Sequence, residues 1–331
     1  MNILLLTAHS IAEHDDLRML HELGHQVFSI GAYTNPSHPT DDKRPPLLQV
    51  PYHADLAALV EGNQMAHKAH LPDGIIDWAD AIIAHHFVYD WIGGQWGRIR
   101  HKRVIWRTCG QTSPQLEQFM GFLRPEGLQI VRYSPKEVNN GPWFAGQDAM
   151  IRFGKEPSEW YGWTGEDAVV GNITQDMVGR ADACGLAFWQ AATNGLQTRP
   201  AGPMSELIGG VGNIPYDEMR AYLRRIRTYL YTGTRPAPYT LGLIEAMMTG
   251  VPVVSIGAKA WGEGWGGEGL FEGDAISGRI AHDTAESARA DLEWMLDGGQ
   301  ATTYFGSLAR QRAIEVFGMD TVKAQWAAFL G

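Results

Sequence analysis

Residues 231–257 read YTGTRPAPYTLGLIEAMMTGVPVVSIG, and this stretch decides the fold. It opens on the end of a strand over 228–231 and passes through a Pro-rich loop. A helix is predicted over 238–248, a stop at Gly250 and a buried strand over 251–256. A short, continuously apolar strand is one covered on both faces, as in parallel sheets. Two such strands joined through a helix make a parallel crossover. The helix start near Tyr239 and Thr240 offers N–H groups without intrahelical acceptors, at the positive end of the helix dipole. That suits an anion such as a diphosphate. Glu245 follows about a turn and a half into the helix, where a carboxylate can accept hydrogen bonds from vicinal hydroxyls such as those of a ribose.

The same strand–helix rhythm extends in both directions. Strands are expected over 2–7, 27–30, 81–84, 104–106, 129–133 and 149–153, with a loop over 8–12 and a helix over 13–24 between the first two. Leu17, Leu20 and Leu23 recur there at helical spacing, and Gly24 is a stop. The segment 144–164 is rich in Gly, Pro and aromatics, and the domain junction is placed within it, giving domains 1–160 and 161–331. Beyond it come a strand over 168–173 and helices over 182–193, 215–227, 284–296, 307–316 and 321–330. The fold class is α/β, two doubly wound domains. In such sheets ligands bind beyond the carboxyl ends of the strands.

Composition narrows the function. The 331 residues carry 27 Lys+Arg and 37 Asp+Glu, a net charge of −10, which argues against a bulk nucleic-acid binder. Hydrophobic residues at 44% supply a core, and no apolar run approaches the ~20 residues of a membrane span. The first ten residues read as a strand and not as a signal peptide. Two cysteines, Cys109 and Cys184, exclude a disulfide framework and fit a reducing, cytoplasmic setting.

The motif segment resembles the donor site of GT-B glycosyltransferases, specifically the retaining family-4-like enzymes. Their pattern is Glu-Pro-Phe-Gly-Leu, three residues, Glu-Ala-Met-Ala, then Gly-x-Pro-Val-Val. Here Ala237, Pro238, Tyr239, Thr240 and Leu241 are followed by Glu245, Ala246, Met247 and Met248, then by Gly250, Val251, Pro252, Val253 and Val254. The resemblance implies two Rossmann-like domains facing a cleft, the donor on the C-terminal one, and transfer with retention of configuration. It implies that Glu245 binds the donor ribose and that the backbone of Tyr239, Thr240 and Leu241 faces the phosphates and sugar. Gly266, Gly267, Glu272 and Gly278 resemble the family's glycine-rich loop and its sequel, and the closing helices resemble its ending, where the last helix packs back on the N-terminal domain. The first Glu of the family motif is Ala237 here. No cofactor or metal is called for; the co-substrate is a nucleotide-diphosphate sugar, a UDP-sugar first.

A diphosphate also needs cations, and Arg180 is the first candidate, Arg235 the second, since a guanidinium can take two phosphate oxygens. All histidines but His282 lie before residue 102. His9, His85 and His86 follow strands and are candidates for the acceptor side and for proton transfer. Asp15 or Asp16 could supply the base an inverting reaction would need; the plainer reading of both is favourable charge at a helix start. The pairs His21/His25 and His67/His70 have ligand spacing without the further ligands of a zinc site.

Arg98, Arg100, Lys102, Arg103 and Arg107 form a basic run. It reads as a solvated face, or through Arg100 and Arg103 as a contact to an anionic acceptor. DNA is one such acceptor, because some compact GT-B enzymes of phages glycosylate hydroxymethylated pyrimidines. A nucleotide-sugar epimerase and a non-catalytic sugar-nucleotide binder are the other readings. Trp143, Phe144, Trp160, Tyr161 and Trp163 would pack the hinge or stack a base or sugar ring.

Overall fold

The structure, a computed structural model, describes residues 1–61, 70–85, 89–110, 113–235, 237–261 and 281–331. The chain divides into two units: residues 1–154 with 322–331, and residues 155–321. The expected junction at 160/161 lies within the second of these.

Unit 1 is built on a six-stranded sheet. Its strands are β1 (Asn2–Leu6), β2 (Gln26–Ile30), β3 (Ala81–His85), β4 (Arg103–Arg107), β5 (Gln129–Arg132) and β6 (Ala149–Met150), in the order β2-β1-β3-β4-β5-β6. Every pairing is parallel, with Leu4 opposite both Phe28 and Ile82. Leu4, Ile82, Val104, Trp106 and Ile130 are buried together, which is why these strands read as unbroken apolar runs. Strand succession reverses between β1 and β3, so the loops after those strands border the crevice where open α/β sheets bind ligands.

The first helix is Ser10–Glu22, beginning ahead of the expected residue 13. The reason is its cap: the His9 ring accepts a hydrogen bond from the Ala12 N–H at 3.3 Å. The closing helix, Met319–Leu330, contributes its later residues to unit 1. Trp326 is fully buried with the Arg107 guanidinium 5.2 Å from its ring, Lys323 meets Glu22 at 2.9 Å, and Arg103 donates to the carbonyls of Phe329 and Leu330 at 2.6 and 2.7 Å.

Unit 2 has a five-stranded sheet of β7 (Asp167–Ile173), β8 (Thr198–Ala201), β9 (Ile226–Tyr231), β10 (Val253–Ile256) and β11 (Ala281–His282), again all parallel. The order β11-β10-β9-β7-β8 places the reversal between β7 and β9. β8 was not expected from the sequence because Pro200 lies inside it. Only an edge strand tolerates that, and β8 is an edge. The helix expected over 182–193 is two, Ala181–Cys184 and Leu186–Thr193, because Gly185 between them is left-handed at φ 66°. The helix expected from 238 is Leu241–Thr249. Thr240 stays extended and caps it by accepting from Leu243, and Gly250 at φ 95° ends it.

The helix Gln300–Phe317 packs against Leu241–Thr249 through Gly306, where an added Cβ would stand 2.3 Å from the Gly250 carbonyl oxygen. Gly306→Ala should therefore force the helices apart and cost about 1–3 kcal/mol. A urea denaturation curve with an unchanged midpoint would refute that account of the contact.

Candidate functional site

In unit 2 the loops that leave β7 and β9 are held against one another at the carboxyl edge of the sheet. The backbone N–H of Arg235 donates to the Ala183 carbonyl at 2.6 Å and its guanidinium to the Asp182 carbonyl at 2.7 Å. Thr232 Oγ1 donates to the Cys184 carbonyl at 2.7 Å. Arg180 starts the short helix these groups grip, and its guanidinium turns back to the Gln175 carbonyl. Both arginines therefore flank the junction of the two loops, Arg235 exposed and Arg180 partly so. The helix Leu241–Thr249 begins at the same edge. Gly242 allows this, since any side chain there would press on the Ile173 carbonyl, 3.2 Å from an added Cβ. Arg180 and Arg235 thus stand on the two loops that leave β7 and β9, and the helix that Thr240 caps follows the second of these loops. The Tyr239 side chain turns inward and stacks edge-on against Phe317, ring centroids 5.1 Å apart.

Glu245 is buried on the inner side of that helix. Its Oε1 accepts from Lys155 Nζ at 2.7 Å, and Lys155 is equally buried, 6.0 Å from the Trp160 ring. Sequence reasoning singled out Glu245 and not its partner Lys155, which stands far off in the chain and carries no motif. The aromatics of 143–163 divide between the units. Phe144 lies 4.5 Å under the Arg132 guanidinium in unit 1. In unit 2 Trp160 packs on Tyr216, and Trp163 donates to the Ile226 carbonyl at 2.8 Å.

Unit 1 carries a second cluster, at the carboxyl edge of its sheet. His85, the last residue of β3, holds Asp16 Oδ2 through Nε2 at 2.9 Å, and Arg107, the last residue of β4, donates to the same oxygen. All three are buried. Arg107 is fixed in turn by the Arg152 carbonyl at 3.2 Å and by Phe153, 4.7 Å from the guanidinium. Burial works against the Asp16 charge, but Arg107 and His85 outweigh it and hold this carboxyl below the ordinary range. Burial keeps His85 below the usual histidine range although Asp16 pulls the other way. The Cys109 thiol beyond them is pushed up to about 12 by burial, so it is no nucleophile.

It is Asp16 that meets His85. Asp15 instead faces His14 Nδ1 at 3.2 Å. His9 is an exposed helix cap at the end of β1. His86 and the glycine-rich segment with Gly266, Gly267, Glu272 and Gly278 lie outside the described residues. Among the described residues no cluster of His, Cys, Asp or Glu could hold a metal ion, and no helix is long and apolar enough to cross a membrane.

The basic run is largely spent on structure. Arg98 pairs with Asp73, Arg100 with Glu126 at 3.3 Å, and Lys102 donates to the Asp77 carbonyl at 3.4 Å. Arg103 holds the C-terminal carbonyls from the first residue of β4, whereas Arg107 ends that strand. At about 3.3 Å per residue, Arg103 lies roughly 13 Å from the Asp16–His85 edge, at the opposite end of the sheet.

No protein-family model matches the sequence, and no curated protein matches it. Solved structures do match in fold. HepE of Anabaena in complex with UDP and glucose superposes with a TM-score of 0.66 at 13% identity, over 100% of this chain and 99% of that one. A glycosyltransferase from Rickettsia africae gives 0.65 at 10% identity, over 99% and 97%. A T4 phage BGT mutant in complex with UDP-glucose gives 0.56 at 12% identity, over 100% and 98%. The chain therefore has the GT-B fold, with two Rossmann-like units.

One carboxylate near the unit 1 cluster makes stability depend on pH. Glu137, buried beyond β5, accepts from Thr108 Oγ1 at 2.9 Å and from the Tyr133 and Ser134 N–H groups at 2.8 and 3.2 Å. Burial still outweighs these bonds and the nearby Arg132, pushing its pKa from 4.5 up to about 7. The folded state then holds a proton that the unfolded chain releases. Its contribution is complete below pH 4.5 and is lost as pH rises to about 7. Glu137→Gln should flatten the slope of unfolding free energy over that interval; a slope equal to that of the parent chain would refute the assignment.

Proposed function

We propose that this chain is a glycosyltransferase that moves a sugar from a nucleotide-diphosphate sugar, a UDP-sugar first, to an acceptor hydroxyl. Unit 2 takes the donor and unit 1 the acceptor. The observation that carries this reading is the joining of the Arg180 and Arg235 loops at the strand reversal of unit 2, with the Leu241–Thr249 helix starting just after the second loop. A helix start with two guanidiniums supplies the positive charge that a leaving diphosphate needs, and no metal is required for it. The fold it shares with structures solved in complex with UDP and UDP-glucose supports the choice of donor.

Two finer points follow from the same geometry. Glu245 already carries an ion pair with Lys155, so a donor ribose would share a carboxylate that Lys155 holds in place. The retention implied by the family resemblance rests on a motif whose first carboxylate is here the buried Ala237, so this chain brings no carboxylate to the sugar from that position. A DNA acceptor would have to find cations other than Arg100 and Arg103, which the fold itself employs.

Binding of UDP should raise the unfolding midpoint by several degrees at about 100 times its dissociation constant, from a linkage free energy near 2.7 kcal/mol. GDP and ADP serve as controls. Arg180→Ala with Arg235→Ala should weaken UDP binding by more than tenfold in calorimetry, with the unliganded midpoint little changed. Affinity untouched by the double variant, or no shift with any nucleoside diphosphate, would sink the donor assignment.

A further inference from the structure

β9 closes on Tyr229, Leu230 and Tyr231, and the two tyrosines lie on the same face of the sheet. Their hydroxyls are placed differently. That of Tyr229 accepts from the Ile173 N–H at 3.0 Å and donates to the Ile173 carbonyl at 3.2 Å, so both of its roles are filled. Tyr231 stands one step nearer the carboxyl edge and is only 4% exposed. Its hydroxyl is buried and makes no hydrogen bond among the described residues. A buried hydroxyl left so costs free energy and calls for a reason. Packing supplies none, because a phenylalanine ring would fill the same space.

The polar residue beside the Tyr231 hydroxyl is Thr240, backbone and side chain alike. Thr240 caps the helix Leu241–Thr249 and is partly exposed. Its own hydroxyl oxygen accepts from the Leu243 N–H, and the earlier N–H groups of the first turn have no intrahelical acceptor. The Tyr231 hydroxyl is thus aimed at a helix start that presents donors, and it can add one more. Burial raises its pKa above the ordinary tyrosine value, so the group stays protonated and brings no negative charge to the place.

We propose that Tyr231 is a donor-binding residue, whose hydroxyl donates a hydrogen bond to an oxygen of the diphosphate seated at the start of the helix Leu241–Thr249. The proposal rests on the donor reading above and adds to it a ligand from the strand on which that helix packs. A phosphate oxygen only accepts and carries charge, so it is the strongest acceptor such a hydroxyl can meet. The position is selective as well. A ligand without an acceptor there leaves buried donors unpaired, whereas a nucleoside diphosphate fills them. The same hydroxyl is therefore unfavourable in the free chain and favourable in the complex.

The test uses the whole chain. Calorimetry first establishes which of UDP, GDP and ADP binds; if none does, the donor reading fails and takes this proposal with it. Tyr231→Phe removes one oxygen and keeps the ring. It should bind the same nucleoside diphosphate about tenfold more weakly, while its unliganded unfolding midpoint rises. Binding of the bare nucleoside, followed by NMR titration, should not change. Tyr229→Phe is the contrast, since it removes a hydroxyl with two bonds and should lower the midpoint. The opposed signs separate the two roles, because a hydroxyl that only supports the fold would lower midpoint and affinity together. A Tyr231→Phe variant with wild-type affinity for the diphosphate, one whose midpoint does not rise, or one that loses as much affinity for the bare nucleoside would each overturn the proposal and leave the donor reading standing.

Discussion

A parallel sheet covered on both faces leaves few places for polar chemistry. Its strands must be apolar along most of their length, as Ile3–Leu6 of β1, Ala81–Ala84 of β3 and Val253 and Val254 of β10 are, and its backbone groups are spent on neighbouring strands. Charged groups that are to act on a ligand are driven to the strand ends, and strand order selects which ends. In unit 1 the reversal lies between β1 and β3, and in unit 2 between β9 and β7. The Asp16–His85–Arg107 cluster and the Arg180–Arg235 pair each occur beside one of these reversals. Neither cluster is contiguous in sequence, yet each is fixed by the same requirement that the sheet be dry.

The two clusters solve different electrostatic problems. In unit 2 the arginines lean on backbone carbonyls, which orient a guanidinium without cancelling its charge, and they remain near solvent. In unit 1 the charges are buried and compensate one another, Arg107 and His85 sharing one oxygen of Asp16. Buried charges left without partners would cost several kcal/mol each, so removing one member of this set strands the others. An open cationic edge suits an anion that comes and goes. A closed, self-compensated network holds its members in a single geometry.

Much of this could be read from the chain, and the failures have physical causes. The crossover around residues 231–257 was legible because Gly250, the cap at Thr240 and the apolar β10 are local signals. Arg180 and Arg235 were legible as cations near that crossover. Lys155 was not, since its pairing with Glu245 spans a sequence distance that no spacing rule covers. Asp15 and Asp16 are neighbours of one residue type, and only helical phase separates the one facing His14 from the one facing His85. β8 escaped because its Pro200 obeys an edge-strand rule that operates only once the sheet exists. The run from Arg98 to Arg107 looked like a surface for anions. Its partners, Asp73, Glu126 and the carbonyls of Phe329 and Leu330, are all distant in sequence.

The return of the helix Met319–Leu330 to unit 1 has a consequence for how the molecule can be divided. Residues 322–331 are separated along the chain from the rest of unit 1 by the whole of unit 2. A fragment ending at residue 154 would keep all six strands of the sheet, yet lose Trp326, which roofs the Arg107 guanidinium, and the carbonyls that Arg103 grips. Unit 1 is thus discontinuous in sequence, and no single cut releases it whole.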